Sequence, residues 1–323
     1  MRKFCRVAGA ILAGVFAVAM AGSASAQTWP TKPVKLIVPY APGGATDVMA
    51  RPWSEKLTLA FGHPFVIDNK GGASGAIGTE AAARATPDGY TFLFTPAATL
   101  TVLPQLRKLN YDPRKDFVPV ARVGDLVCGF VILSSLGINN IKELVDYAKK
   151  NPGKLAYGSA GLGTYSQMRV EMFKARAGVD ILHVPYRGSA DAMNDLLSGH
   201  VHMMNEINVI PHVRSGKLKL LNINYPTRHP DFPDVATLTE QGYPDSDVSI
   251  QYVVSAPTGT PRDIVLALNK KIVEIAKTPE MIARMREINV STPIQTPEEV
   301  GKSLEQETIL NGKLIVEAKI SMD

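Results

Sequence analysis

Val38-Pro39-Tyr40-Ala41-Pro42-Gly43-Gly44-Ala45-Thr46-Asp47 is the stretch that decides how this chain is read. Before it, Val34-Lys35-Leu36-Ile37-Val38 is a short β-branched run that reads as a buried strand. After it, Val48 to Phe61 reads as a helix, with Thr46 or Asp47 placed to cap it. Two prolines stiffen the loop, and two glycines remove the Cβ atoms that would hold a ligand away. A strand that feeds a helix through such a turn leaves several backbone N–H groups converging on one spot. That spot favours an anion. No Gly-Lys-Ser/Thr follows, and the glycines do not fit G-x-G-x-x-G, so nucleotide readings fail. A carboxylate is a simpler guest than a triphosphate. A plain structural βα turn has the same spacing, so the loop alone leaves both readings open.

Met1 to Ala26 reads as a secretory signal. Arg2, Lys3 and Arg6 form its positive end, Val7 to Ala21 its small apolar stretch, and Ala24-Ser25-Ala26 a cleavage site. The mature chain is then expected to start at Gln27 and to be exported and soluble. The apolar run is too short for a membrane anchor, which needs about 20 residues. Removing three basic residues and no acids takes the net charge from +5 to +2. No cluster of Lys and Arg interleaved with aromatics follows, which disfavours nucleic acid. Cys128 is the one cysteine after the signal, so no intrachain disulfide is expected. Among Leu126, Val127, Gly129 and Phe130 it reads as a small buried hydrophobe.

The 297 residues from Gln27 onward favour two domains. Phe65-Val66-Ile67 and Thr91 to Thr95 read as strands around a helix at Ala76 to Ala85. That alternation implies βαβ units. Val118 to Ser134 is long and extended and reads as a first crossing between domains. Then come helix 141–150, strand 154–157, helix 164–177, strand 181–184, helix 190–198 and strands 201–204 and 218–223. Pro226 to Asp247 reads as irregular and Val248 to Ala256 as the return crossing. Helices at 262–277, 279–288 and 297–318 close the chain. Val184-Pro185-Tyr186 leading through Gly188 to Asp191 echoes Val38-Pro39-Tyr40 leading through Gly43-Gly44 to Asp47. The echo is either two similar corners or two half-sites of one cleft.

Tyr-x-Pro-Gly-Gly-x-x-Asp near a mature N-terminus resembles the Bug-type, TctC-like family of periplasmic solute-binding proteins. The likeness continues at Asn69-Lys70-Gly71-Gly72-Ala73-Ser74-Gly75, Pro87-Asp88-Gly89-Tyr90, Tyr111-Asp112-Pro113, Tyr157 to Thr164, Val184 to Ser189 and Ala256-Pro257-Thr258-Gly259-Thr260-Pro261. It covers the chain after residue 27. The resemblance implies an α/β, two-lobed type II periplasmic-binding fold. Each lobe would be a mainly parallel sheet flanked by helices, with the ligand cleft between lobes. Lobe I is expected at 27–128 plus 252–323 and lobe II at 129–251. A small organic carboxylate is the implied ligand, a membrane permease of the tripartite tricarboxylate type the implied partner, and a monomer without cofactor the implied state.

Tyr157-Gly158-Ser159-Ala160-Gly161-Leu162-Gly163-Thr164 is a second strand, Gly-rich turn and helix start, with Thr164 or Ser166 as cap. Two helix N-termini facing one another suit the two ends of a dicarboxylate. Carried over by position, the resemblance points to Tyr40, Gly43, Gly44, Ser159, Gly161 and Thr164. It implies backbone N–H groups, hydroxyls and two ordered waters as the grip, rather than an arginine. Ala41, Asp47, Ala160 and Tyr165 complete the expected wall, with Asp47 capping or ordering its loop. This chain departs from the family pattern at Gln167, at His202, at Asn205-Glu206 and at Thr95 to Leu100. Thr95, Thr99 and Asn205 therefore join the expected site. Together these departures suit a dicarboxylate with an apolar body, such as an aromatic diacid like terephthalate. His200-x-His202 lacks a third metal ligand nearby. An exported hydrolase would need Ser159 and His183 within hydrogen-bond reach. A receptor feeding a signalling sensor is the third reading.

Overall fold

The computed structural model describes residues 29–127, 129–244 and 250–321. The signal segment, its cleavage site and Cys128 lie outside the described residues. Among those residues the chain builds two sheets. Strand β1 (Val34–Val38) pairs in parallel with β2 (Phe65–Asn69) on one side and β3 (Thr91–Pro96) on the other. The β1 burial pattern leaves Val34, Leu36, Ile37 and Val38 inside, as expected of a strand covered on both faces. The Ala45–Phe61 helix covers this sheet through Met49, Trp53 and Leu57. The Trp53 indole N–H is spent on the Val123 carbonyl at 3.0 Å, so its burial leaves no orphan donor.

The chain leaves the first sheet through β4 (Phe117–Leu126) and enters the second through β5 (Val131–Leu133). The second sheet is completed by β6 (Ala156–Ser159), β7 (Leu182–Pro185), β8 (Met203–Met204) and β9 (Leu218–Leu220), in the order β7-β6-β8-β5-β9. The return is β10 (Ile250–Pro257), which lies antiparallel between β3 and β4. A short β11 (Val290–Ser291) edges the first sheet, ordered β11-β4-β10-β3-β1-β2.

The first crossing touches the segment after β9 backbone to backbone. A Cβ built on Gly129 would sit 1.6 Å from the Asn222 carbonyl oxygen, which only a glycine avoids. The Phe130 N–H donates to Asn222 Oδ1 at 3.0 Å, and the Leu221 N–H to the Phe130 carbonyl at 2.9 Å.

Several expectations shift. Neither sheet is mainly parallel: parallel pairing is confined to β1–β2–β3 and β7–β6–β8, and the remaining pairs are antiparallel. The first helix begins at Ala45 rather than Val48, because Gly44 is its N-cap and Asp47 lies inside the first turn. Strand 218–223 stops at Leu220, since the next N–H is taken by Phe130. Strand 154–157 begins later, because Lys154 closes a turn onto Asn151. The Ile141–Lys150 helix stands where the sequence put it, capped by the Asn140 side chain on the Glu143 N–H at 2.9 Å. The described part of the 226–247 connection carries no helix or strand.

Candidate functional site

The carboxyl ends of β1, β3, β6, β7 and β8 converge, which is where open α/β sheets place ligands. At the end of β1, Gly43 takes φ +75°, a conformation that Cβ-bearing residues avoid. Gly44 caps the helix without a side chain. Asp47, wholly buried, reaches back: its Oδ2 accepts the Gly43 N–H at 2.9 Å and the Arg51 Nε at 2.8 Å, and its Oδ1 accepts from Asn69 at 3.1 Å. Of the two expected roles, Asp47 orders the loop.

The end of β6 repeats this device. Gly163 takes φ +72°, Thr164 is the N-cap, and Gln167 Oε1 accepts the Gly163 N–H at 2.6 Å. Thr164 caps through its backbone position, because its hydroxyl donates to the Gly161 carbonyl at 2.7 Å instead of accepting a helix N–H. Ser166 Oγ accepts the Ala160 N–H at 3.1 Å. Both loops are thus pre-shaped by their own side chains before any ligand arrives.

The corners at 38–47 and 184–191 do meet. Ser189, the first residue of the Ser189–Leu197 helix, accepts the Ala45 N–H on its hydroxyl at 2.8 Å. It joins the second sheet's flank directly to the N-terminus of the 45–61 helix. A further contact ties the Tyr165 hydroxyl to Thr101 at 3.3 Å, and Thr101 donates to the buried Glu307 at 2.9 Å.

Between these loops lies a cavity of about 20 Å³, room for little more than one water. Tyr40, Thr46, Thr164, Ser166, Ser189 and Glu206 supply polar atoms to its wall. Of the expected site residues, Tyr40, Ala160, Thr164 and Tyr165 line it. Ala41, Gly43, Gly44, Asp47, Ser159 and Gly161 build the loops around it. Thr95 and Thr99 stand one row back, bonded hydroxyl to hydroxyl at 2.9 Å. Asn205 is buried but off the wall, and the acid beside it, Glu206, faces the cavity. The expectation that Asn205 stands in the wall is therefore corrected: Glu206 takes that place. Thr46, Ser166, Ser189, Glu206 and Tyr252 line the cavity but were not among the expected site residues. Ser189 had a signal, since it ends the Val184-to-Ser189 motif. Glu206 had a weaker one, as an acid two residues past the strand 201–204.

Burial governs the charges here. It pushes the Glu206 carboxyl up to about 7, while the Ser166 hydroxyl and the Arg169 guanidinium act against it. Burial also raises the Tyr40 and Tyr252 phenols far above their ordinary range. No Lys or Arg is among the residues lining the cavity.

Ser159 and His183 are within reach: Oγ and Nε2 lie 2.7 Å apart. Burial depresses the His183 imidazole to about 4, so it is neutral at pH 7. Ser159 is fully buried, also exchanges bonds with both backbone groups of Gly161, and does not line the cavity. The His183 ring stacks on Tyr157, whose hydroxyl donates to Glu171 at 2.6 Å. The pair braces the turn. His202 Nδ1 is occupied by the Ala156 N–H at 3.0 Å, and His200 faces Asp195 at 3.4 Å.

Residues 49–320 match the model of the tripartite tricarboxylate transporter family receptor, TctC. The chain belongs to this family. BugT of Bordetella pertussis is 37% identical over 293 residues, covering 88% of this chain and 90% of that protein. Rpa4515 of R. palustris, solved with adipate, superposes with a TM-score of 0.87 at 32% identity, covering 91% of this chain and 99% of that one. MatC of Rhodopseudomonas palustris, solved with bound malate, gives 0.84 at 28% identity, covering 89% and 100%. Within this TctC receptor, the residues that depart from the expected pattern have definite tasks. Gln167 holds Gly163, His202 holds Ala156, and Glu206 faces the cavity.

Proposed function

We propose that this protein is a periplasmic receptor that captures a small organic carboxylate and delivers it to a permease of the tripartite tricarboxylate type. The observation that carries the reading is the pair of matched helix N-termini, at Ala45 and Tyr165, on one cavity whose lining has no basic side chain. Such termini turn a positive dipole end toward an anion, and the Ala45 N–H, held by the Ser189 hydroxyl, is one that an anion would claim. The adipate and malate held by two relatives are of that chemistry. A dicarboxylate, aliphatic or with an aromatic body such as terephthalate, is the first ligand class to try. The signal is removed after Ala26, and the mature monomer needs no cofactor.

The cavity of about 20 Å³ is too small for such an acid, so entry requires the lobes to part. In this reading the 27–128 plus 252–323 lobe and the 129–251 lobe hinge where the chain passes from β4 to β5 and where it returns at β10. Thermal-shift measurement of residues 27–323 against mono-, di- and tricarboxylates and amino acids tests the function. A ligand at 100 times its Kd adds about 2.7 kcal/mol. Stabilisation by one carboxylate class without product supports the receptor. No shift with any carboxylate overturns it.

The 2.7 Å Ser159–His183 contact favours one rival, an exported esterase. Turnover of activated esters that disappears in Ser159→Ala would establish it. The burial of Ser159 behind the cavity wall argues against it.

A further inference from the structure

We propose that Glu206 sets the specificity of the cleft by accepting a hydrogen bond from a hydroxyl or ammonium group beside the ligand's carboxylate, so that the ligand is a hydroxy- or amino-carboxylate. This rests on the receptor reading above and narrows it.

Glu206 follows β8 and is 5% exposed, yet it faces the same cavity as the two helix N-termini. Every other polar side chain on that wall is a hydroxyl. Two of these donors are already directed elsewhere: Tyr40 to the Ser74 carbonyl at 3.1 Å and Thr164 to the Gly161 carbonyl. An ionised carboxylate only accepts, and has about four places to do so. The charged and titratable groups around Glu206 are Arg169 on the 165–177 helix, Tyr40 after β1 and Tyr252 on β10, with the Ser166 hydroxyl nearest in chemistry. The Ser166 hydroxyl hydrogen-bonds Glu206, which leaves further acceptor places on a carboxylate that lines the cavity. This end of the cleft therefore asks for a donor, while the helix termini ask for an anion. A carboxylate whose neighbouring carbon bears –OH or –NH3+ satisfies both. A plain diacid sets a second carboxylate against Glu206.

The test is isothermal titration of the mature chain with matched trios: propionate, lactate and alanine; succinate, malate and aspartate; adipate, 2-hydroxyadipate and 2-aminoadipate. The expected result is that donor-bearing members of the accepted chain length bind about tenfold tighter or more than the unsubstituted acid. That preference disappears in Glu206→Met. Glu206→Gln, which keeps an acceptor and the shape, retains the hydroxyl preference and loses the ammonium one. It also serves where Glu206→Met does not fold. Equal or tighter binding of the unsubstituted acid, with a proton taken up on binding, overturns the proposal and leaves the receptor intact. An unchanged preference in both variants overturns it too. Absence of binding by all nine acids, with a shift from an aromatic diacid or a tricarboxylate in the thermal panel, overturns this proposal and leaves the receptor; silence across the whole panel overturns both.

Discussion

Asp47 and Gln167 hold the same place in two different helices. Each is the third helical residue, and each accepts the N–H of the glycine four residues earlier, Gly43 at 2.9 Å and Gly163 at 2.6 Å. Asp47 carries more, since Asn69 and Arg51 also bond it. Asp47→Ala should lose roughly 2–4 kcal/mol of stability, because it strands buried donors. Gln167→Ala should lose roughly 1–2 kcal/mol. Urea denaturation of the two variants checks the order, and equal losses would refute the difference in load.

Gly43→Val acts through the backbone. Nothing lies within 4 Å of the Cβ it would gain, but φ +75° strains a branched residue. The variant should lose roughly 1–2 kcal/mol and bind carboxylate more weakly. Gly43→Asn, tolerant of that angle, should recover most of the stability. Equal melting temperatures for the two variants would exclude strain as the cause.

Thr164→Ala removes the bond to the Gly161 carbonyl and the 3.0 Å exchange with Ser166. The expected loss is roughly 0.5–2 kcal/mol, through the turn rather than through a helix cap. Thr164→Ser keeps the oxygen and should restore wild-type affinity. A Thr164→Ser variant as weak as Thr164→Ala would place the effect in the methyl group instead.

Glu206 and Glu307 are both pushed up to about 7 by burial. Between the ordinary carboxyl range and pH 7 the folded protein holds protons that the unfolded chain has released. Stability therefore falls as pH rises through that window. His183, depressed to about 4, and His229, also lowered by burial, give the opposite slope through their ordinary 6.5, so the wild type is compared with Glu307→Gln over pH 6.5 to 8. Over it each glutamate should withdraw roughly 1 kcal/mol. Denaturant titrations at the two pH values should show a fall smaller by about that amount in Glu307→Gln. Parallel profiles would mean that Glu307 is ionised in the fold.

Much of the first sheet and its loop was legible because its signals are local. Val34 to Val38 is apolar and β-branched, the turn is marked by Pro and Gly, and the helix keeps its period. The 141–150 helix stands at the expected residues, and the structure shows Asn140 as its cap. What stayed hidden depends on partners far away in sequence. The antiparallel seat of β10 between β3 and β4 is set by pairing across about 125 to 160 residues. The site divides in the same way. Tyr40 and Thr164 belong to motifs with their own turn chemistry. Whether Asn205 or Glu206 faces the cavity turns on a single step after a two-residue strand, and adjacent residues point to opposite sides there.

Ser189 has a consequence for how the two lobes regard an arriving anion. Its hydroxyl oxygen occupies the Ala45 N–H across the cleft. A hydroxyl at a helix N-terminus is a weak imitation of a carboxylate oxygen. Under the receptor reading proposed above, Ser189 is a decoy for the protein's own cargo. With the decoy seated, the closed shape is held by the same donor that an anion would claim. Loading then becomes an exchange of one oxygen for another, and the free energy that separates a filled receptor from an idle one is the margin between the two.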